Sequence, residues 1–303
     1  MNIRMFSLVK AMPRSFFLPA LLALFFTLGA CSPRHLIVHS VADELAQQSD
    51  MQEDDLQLAK DASAFYLKLS ESILRQVPAH RQLSEAVAAG FTQYAFAFVA
   101  SEAEQVEAKD AKSAHALRQR AATLYRRGNA HAMAALEWQA PGFLQKLSSN
   151  QHTDWPRIAP DQVGLAYWAA ASWGGLISLS KDDPDTLADL PVALRLAQLA
   201  FAADPAYGQG ALASLMGTFE AARPGGSIDK AASLFDRALA ISHRSDPGIL
   251  VAKAEAIALP SGDRVGFESL LREALQRPGQ PNLQKRVMQK RAQWLLDTAD
   301  DLF

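Results

Sequence analysis

Cysteine is almost absent from this chain, whose 303 residues include only Cys31. A lone thiol excludes an internal disulfide. Strand-like alternation of apolar and polar residues is essentially missing, so a β-sheet architecture is not expected. A basic footprint for nucleic acid is missing too, because 32 acidic residues outnumber 30 basic ones. These absences leave an all-α protein with no nucleic-acid partner as the expected class.

Catalytic and metal-binding motifs are also missing. The sequence has no HExxH, GxSxG, phosphate-binding glycine loop, CxxC or EF-hand pattern. The string 178-SLSK-181 matches the SxxK of penicillin-interacting enzymes, but its companion SDN and KTG motifs are absent. His35 and His39 have the i, i+4 spacing of a metal pair, with no third ligand nearby in the sequence. We therefore expect no enzyme activity, no metal and no cofactor.

The first thirty residues have the pattern of a bacterial lipoprotein signal. They carry three basic residues and no acidic one: Arg4, Lys10 and Arg14. The apolar run 15-SFFLPALLALFFTLGA-30 is shorter than the roughly 20 residues of a membrane span. It ends in the lipobox 28-LGAC-31, where small residues admit the signal peptidase and the thiol accepts a diacylglycerol. The pattern predicts a signal peptide over residues 1–30 and lipid attachment at Cys31, the alternative being an ordinary cleaved signal with a coincidental cysteine.

Lipidation would hold the mature chain on a bacterial membrane, with its folded part in the periplasm or outside the cell. Ser32 follows the cysteine, and the absence of aspartate there favours the inner leaflet of the outer membrane over the inner membrane. Removal of residues 1–30 takes away three positive charges, so the formal net charge changes from −2 to about −5. We predict a lipidated tether over residues 31–50.

Helical periodicity runs through nearly every segment after residue 50, because apolar residues recur every three or four positions. Proline, glycine and aspartate separate these segments. The predicted helices cover 55–76, 81–100, 110–127, 128–139, 161–180, 189–203, 206–222, 227–243, 247–258, 263–276 and 281–301. Asp161 is the predicted N-cap of the 161–180 helix. One compact all-helical domain over residues 51–303 follows from this pattern.

Three of the predicted helices end alike, in 197-AQLAFAADP-205, 231-AASLFDRALAISHRSDP-247 and 271-LREALQRP-278. Aligning Ala200, Ala238 and Ala274 gives spacings of 38 and 36 residues. These spacings are close to the tetratricopeptide period of about 34 residues. We predict degenerate tetratricopeptide-like helical hairpins at about 190–280, within an α-solenoid.

Aromatic residues concentrate on two predicted helices. Tyr94 and Phe98 lie on the 81–100 helix, and the stretch 166-AYWAAASWGG-175 of the 161–180 helix carries Tyr167, Trp168 and Trp173. Alanine and glycine predict close helix contact, whereas rings with a polar tip can also line a cavity. The two tryptophans lie roughly 140° apart around the helix. We expect them to have different surroundings, with at least one bordering an internal cavity.

Several stretches together resemble one known family: 91-FTQYAFAFV-99, 166-AYWAAASWGGLISLSKDDPDTLADLP-191, 204-DPAYGQGALASLMGTFEAARPGG-226, 230-KAASLFDRALAIS-242 and 290-KRAQWLLDTADDLF-303. From about residue 36 to its end, the chain is similar to the TatT-type T component of TRAP transporter systems. The lipobox agrees with this resemblance, which rests on both aromatic segments and on the C-terminal stretch.

The resemblance implies an all-helical periplasmic lipoprotein that forms a homotrimer and docks the solute-binding P component. It also implies a passage through each protomer for a small organic ligand. The family supplies no catalytic residue. Within the matching motifs, helical geometry selects five candidates for the passage lining: Tyr94, Phe98, Tyr167, Trp168 and Trp173. A general tetratricopeptide-like envelope scaffold that binds peptides is the alternative function.

Overall fold

Regular structure in this protein is entirely helical in the part of the chain that the computed structural model describes, residues 33–47, 53, 55–276 and 282–303. The all-α class is therefore confirmed, as is the prediction of one compact domain. The predicted signal peptide and Cys31 lie outside the described residues. The helices that carry the predicted hairpins of 190–280 are present, and their arrangement as a solenoid stays a prediction.

Fifteen α-helices are described, and we number them in chain order. They are α1 Pro33–Gln47, α2 Leu56–Leu74, α3 Arg81–Tyr94, α4 Ser101–Val106, α5 Ala111–Gln139, α6 Phe143–Leu147, α7 Val163–Leu179, α8 Pro184–Ala188, α9 Leu190–Ala203, α10 Ala211–Ala222, α11 Ile228–Ile241, α12 Pro247–Lys253, α13 Arg264–Gln276, α14 Leu283–Asp297 and α15 Ala299–Leu302. Two π-helical segments, Ala95–Ala100 and Ala254–Ala258, continue α3 and α12.

Short polar side chains determine where several helices begin. Asp55 accepts hydrogen bonds from two backbone amides of the first turn of α2, and Asp110 accepts one at the start of α5. Asp246 does the same for α12. The predicted N-cap at Asp161 is wrong, because α7 begins after Gln162 and makes no side-chain cap bond. Asp161 lies instead in the preceding 3₁₀ turn, Pro160–Gln162.

Residues 33–47, which lie within the tether predicted over residues 31–50, form α1. Ala42 and Leu45 are buried in a cluster with residues of α2 and α3. The Nε2 atom of His80 lies 3.0 Å from Oδ1 of Asp43, while Nδ1 of the same ring accepts the amide hydrogen of Leu83 at the start of α3. Since one side of α1 is apolar, its burial fixes the helix to the domain.

The predicted break between 127 and 128 is absent, and α5 runs unbroken through both predicted helices. Gly128 faces α3, where an added Cβ would lie 2.9 Å from Oγ1 of Thr92. This glycine therefore allows two helices to approach closely, instead of ending one of them.

Three buried clusters follow one another along the chain. The first joins α1 to α5, the second surrounds α7 with α5, α9 and α10, and the third joins α10 to α14. The stretch Pro184–Ala203 is long and apolar enough to cross a membrane by composition, but α9 packs against α7 with Ala193, Leu196 and Ala197 buried. The middle cluster shares α5 with the first and α10 with the third, so it connects the two ends of the domain.

Close packing around α7 depends on its glycines. A Cβ added at Gly175 would lie 2.6 Å from the ring of Tyr125 on α5, and one added at Gly174 would lie 3.1 Å from the ring of Phe219 on α10. The prediction that the small residues of this stretch mark close helix contact is confirmed. The aromatic partners on α5 and α10 occupy the volume that larger side chains on α7 would need.

We expect Gly175→Leu to destabilise the domain by about 1–3 kcal/mol, because the new side chain overlaps the buried Tyr125 ring. Thermal unfolding by circular dichroism measures the effect. Ser178→Leu on the exposed side of the same helix is the matched control and should change the unfolding free energy by at most about 0.5 kcal/mol. Equal stability of the two variants would contradict the assigned contact.

Candidate functional site

A cavity of about 340 Å³ lies between α2, α4 and α14, within the part of the chain that the structure describes. This volume is at the lower end of the range for small-molecule sites. The lining residues are Leu56, Gln57, Lys60, Ala97, Phe98, Ser101, Glu102, Gln105, Val287, Lys290 and Arg291. Residues from both ends of the sequence therefore build one site, which combines apolar surface with charged groups.

Arg291 joins the two ends of the chain beside this cavity. Its guanidinium makes a two-point contact with Glu255, with Nη2 to Oε1 at 2.5 Å and Nε to Oε2 at 3.1 Å. Its Nη1 atom lies 2.9 Å from Oε2 of Glu104, although the N–H does not point at that oxygen well enough for a hydrogen bond. Phe96 of the first π-helical segment and Trp294 place their rings near the guanidinium.

The Arg291 side chain is only 9% exposed. Burial disfavours its charge, but the carboxylates of Glu255 and Glu104 outweigh burial and raise the pKa of the guanidinium above its usual value. Arg291 is therefore a permanent cation with two acidic partners. It fixes α14 against α4 and the second π-helical segment.

The first π-helical segment supplies Phe98 to the cavity. The Phe98 ring lies 5.4 Å from the ring of buried Tyr94, so the two predicted residues are neighbours as expected. On the same wall, Nζ of Lys60 pairs with Oε2 of Glu102 at 2.9 Å. A ligand here would meet an aromatic face and a polar rim together.

A second group of aromatic residues lies where α3, α7 and the turn before α10 meet. The Tyr167 ring contacts the ring of Trp168 at 4.8 Å and that of Tyr207 at 5.3 Å. The Tyr207 hydroxyl donates to Oε1 of Glu85 on α3 at 3.3 Å. Gly164 makes room for this carboxylate, since an added Cβ would lie 1.9 Å from the same oxygen. We call Glu85, Tyr167, Trp168 and Tyr207 the inner cluster.

Solvent reaches the inner cluster only in part. Each member keeps partial exposure. Nevertheless, burial raises the pKa of Glu85, against the hydrogen bond from Tyr207 and the charge of Arg81. Burial, together with the charge of Asp246, raises the pKa of Tyr167 to about 12. Glu85 and Tyr167 thus combine partial exposure with incomplete hydration.

Trp173 lies apart from both groups. It is buried in the middle cluster, and its Nε1 donates to Oδ2 of Asp189 at 3.2 Å. The expectation that Trp168 and Trp173 have different surroundings is confirmed. A role of either ring in lining an internal cavity stays a prediction.

The five predicted site residues thus fall in three places. Phe98 lines the cavity with Tyr94 behind it, Tyr167 and Trp168 belong to the inner cluster, and Trp173 packs in the core. Sequence reasoning missed Glu85 and Tyr207, and it missed the partners of Arg291. A lone acid within the apolar segment 83-LSEAVAAGF-91 was an available signal for Glu85.

The SLSK string lies outside both the lining of the cavity and the inner cluster. Ser178 of the SLSK string is exposed, and its hydroxyl donates to the Gly175 carbonyl of its own helix at 2.8 Å. Across the described ranges, no three His, Cys, Asp or Glu side chains are grouped to hold a metal ion. The cavity, with its apolar surface and its polar rim, is suited to binding a small molecule.

A shallow groove of about 590 Å³ lies elsewhere on the surface, between the end of α5 and α6. Leu144 lines this groove beside Glu137, and it is half-exposed. Trp138, the next residue after Glu137, is 64% exposed. Exposed tryptophan is a residue type that is enriched at protein interfaces.

Glu85→Gln should raise the melting temperature at neutral pH, because the neutral amide removes the cost of an ionised carboxylate in the inner cluster. The raised pKa means that folding disfavours the ionised form. The gain should therefore shrink as the pH falls through the folded-state pKa, and it should vanish below the ordinary glutamate pKa of the unfolded chain, where both states are protonated. Melting curves between pH 4 and 8 test this, with Glu102→Gln on the cavity rim as control. A lower melting temperature for Glu85→Gln at neutral pH would contradict the assignment.

Comparison with known proteins agrees with these features. An uncharacterized protein of Treponema pallidum (strain Nichols) is 30% identical over 266 residues, which cover 83% of this chain and 81% of that protein. A family model described as TRAP transporter T-component matches residues 52–303, which include the cavity, the inner cluster and Arg291. The chain therefore belongs to the TRAP transporter T-component family, which gives it an accessory role in TRAP transport.

Proposed function

We propose that this protein is a lipid-anchored periplasmic accessory that docks a solute-binding P component and passes a small organic ligand. The family match over residues 52–303 carries the proposal. In this view Cys31 bears a diacylglycerol, the protein faces the periplasm from the inner leaflet of the outer membrane, and three copies form a homotrimer. No residue has a catalytic role.

The cavity supports the ligand part of the proposal. Phe98, Leu56 and Val287 offer apolar surface, while Gln57 and Lys290 offer polar groups at the same site. The inner cluster adds rings with polar tips. A small organic molecule with both apolar and polar parts suits these two surfaces.

The groove at the end of α5 supports the docking part. Docking of a folded protein requires an exposed patch that loses its water on binding, and tryptophan often supplies a large part of the affinity. Leu144 is an exposed apolar residue of this groove, and Trp138, the residue after Glu137, is exposed to solvent. We assign the P component to this face.

Tagged mature protein, purified from native membranes, should bring down a periplasmic solute-binding protein. Trp138→Ser should weaken that complex about 10-fold or more, because about 2 kcal/mol is usual for a central tryptophan. Val265→Ser is the matched control, since Val265 is 82% exposed on the distant helix α13. Recovery of extended peptides instead of a binding protein would favour the scaffold function and contradict the docking of a P component.

Cys31→Ser should move the protein from the membrane fraction to the soluble periplasmic fraction, because the hydroxyl cannot accept the thioether-linked lipid. Fractionation followed by mass measurement of the mature chain tests this. Retention of the serine variant in the membrane fraction, with an unchanged mass, would contradict lipid anchoring at this position.

A further inference from the structure

Helix α1 has an apolar face that is broader than the part packed against the domain. Val38, Ala42 and Leu45 face the buried cluster shared with α2 and α3. Ile37 and Val41 face solvent and are 64% and 38% exposed. Their i, i+4 spacing places them next to each other along the helix. A branched aliphatic pair in water, on a helix already packed elsewhere, indicates a surface that meets another apolar phase.

The position of α1 in the chain identifies that phase. The helix begins at Pro33, two residues after Cys31. Two residues span at most about 7 Å. Ile37 lies four residues into the helix, a rise of about 6 Å, and Val41 about 6 Å further. If Cys31 carries acyl chains, α1 therefore begins within about 7 Å of the residue that bears the lipid.

Charge along the helix agrees with this placement. The residues between the cysteine and Ile37, 32-SPRHL-36, include an arginine and a histidine but no acid. The acidic residues of α1, Asp43 and Glu44, come in its later turns, and Asp43 contacts His80 of the domain. The one arginine of this segment would be attracted to anionic headgroups beside the lipid anchor.

We propose that α1 lies on the bilayer surface, with Ile37 and Val41 in the headgroup region and with the domain held in a fixed orientation above it. The inference rests on the proposed lipidation of Cys31. It goes beyond anchoring, because a lipid alone would let the domain tumble on its attachment. Here the anchored helix is itself packed in the domain through Ala42, Leu45 and the contact of Asp43 with His80.

The single cysteine allows a direct test. Once Cys31 carries lipid, a cysteine introduced by Ile37→Cys or Val41→Cys is the only free thiol, and it can be labelled with an environment-sensitive fluorophore. The labelled lipoprotein is reconstituted in vesicles of phosphatidylethanolamine with a minor fraction of phosphatidylglycerol. Val265→Cys on α13 is the matched control, because it also replaces an exposed valine.

Labels at 37 and 41 should show blue-shifted emission, quenching by brominated lipids and several-fold weaker quenching by iodide than the label at 265. Equal emission and equal iodide quenching at 37 and 265 would overturn the inference. A blue-shifted label at 37 that brominated lipids do not quench would reveal a protein contact on this face, such as a second copy, and would also overturn it. Circular dichroism of each variant confirms that α1 remains folded.

The mass of the purified protein separates the two proposals. An acylated Cys31 with a water-exposed label at 37 would reject the surface-lying helix and leave the lipid-anchored function intact. A mature chain without acyl groups would reject both.

Discussion

The arrangement of this domain depends on the buried charge of Arg291. A guanidinium removed from water needs acidic partners, and here those partners come from α4 and from the segment that follows α12. Helix α14 is thereby held against α4, and it lies beside α2. Residues of α14 form one wall of the cavity, so the cavity would lose that wall if the ion pairs did not hold α14 in place. The ion pairs thus define a binding site as much as they stabilise a fold.

A second constraint is the closeness of α5, α7 and α10. Small residues on α7 let Tyr125 and Phe219 approach the helix backbone, so the middle cluster is dense and connects the other two. Dense packing leaves few places where polar groups can stay partly hydrated. The inner cluster occupies such a place, because Gly164 leaves room for the Glu85 carboxylate between α3 and α7. The residues that make the packing tight also determine where a ligand could reach polar atoms.

Much of this fold could be predicted from periodicity and punctuation. The predicted helices 189–203, 227–243 and 263–276 agree with α9, α11 and α13 within about two residues at each end. Helix α1 was not predicted, because only its contacts with α2 and α3 show that it is packed in the domain. The break at 127–128 failed because a glycine that serves close packing has the same letter as one that ends a helix.

Tertiary structure separated the predicted site residues. Phe98 lines the cavity, Tyr167 and Trp168 keep partial exposure in the inner cluster, and Trp173 is buried in the middle cluster. Helical spacing alone could not separate them. By itself, the sequence determined the all-helical class, the family and the lipobox, because each depends on local residue order. Tertiary structure alone decided that Glu104, Glu255 and Arg291 share one place and that Tyr207 meets Glu85, because these pairs are separated by between 36 and 187 positions in the chain. Contacts of that range depend on how the helices cross, and no local pattern encodes such a crossing.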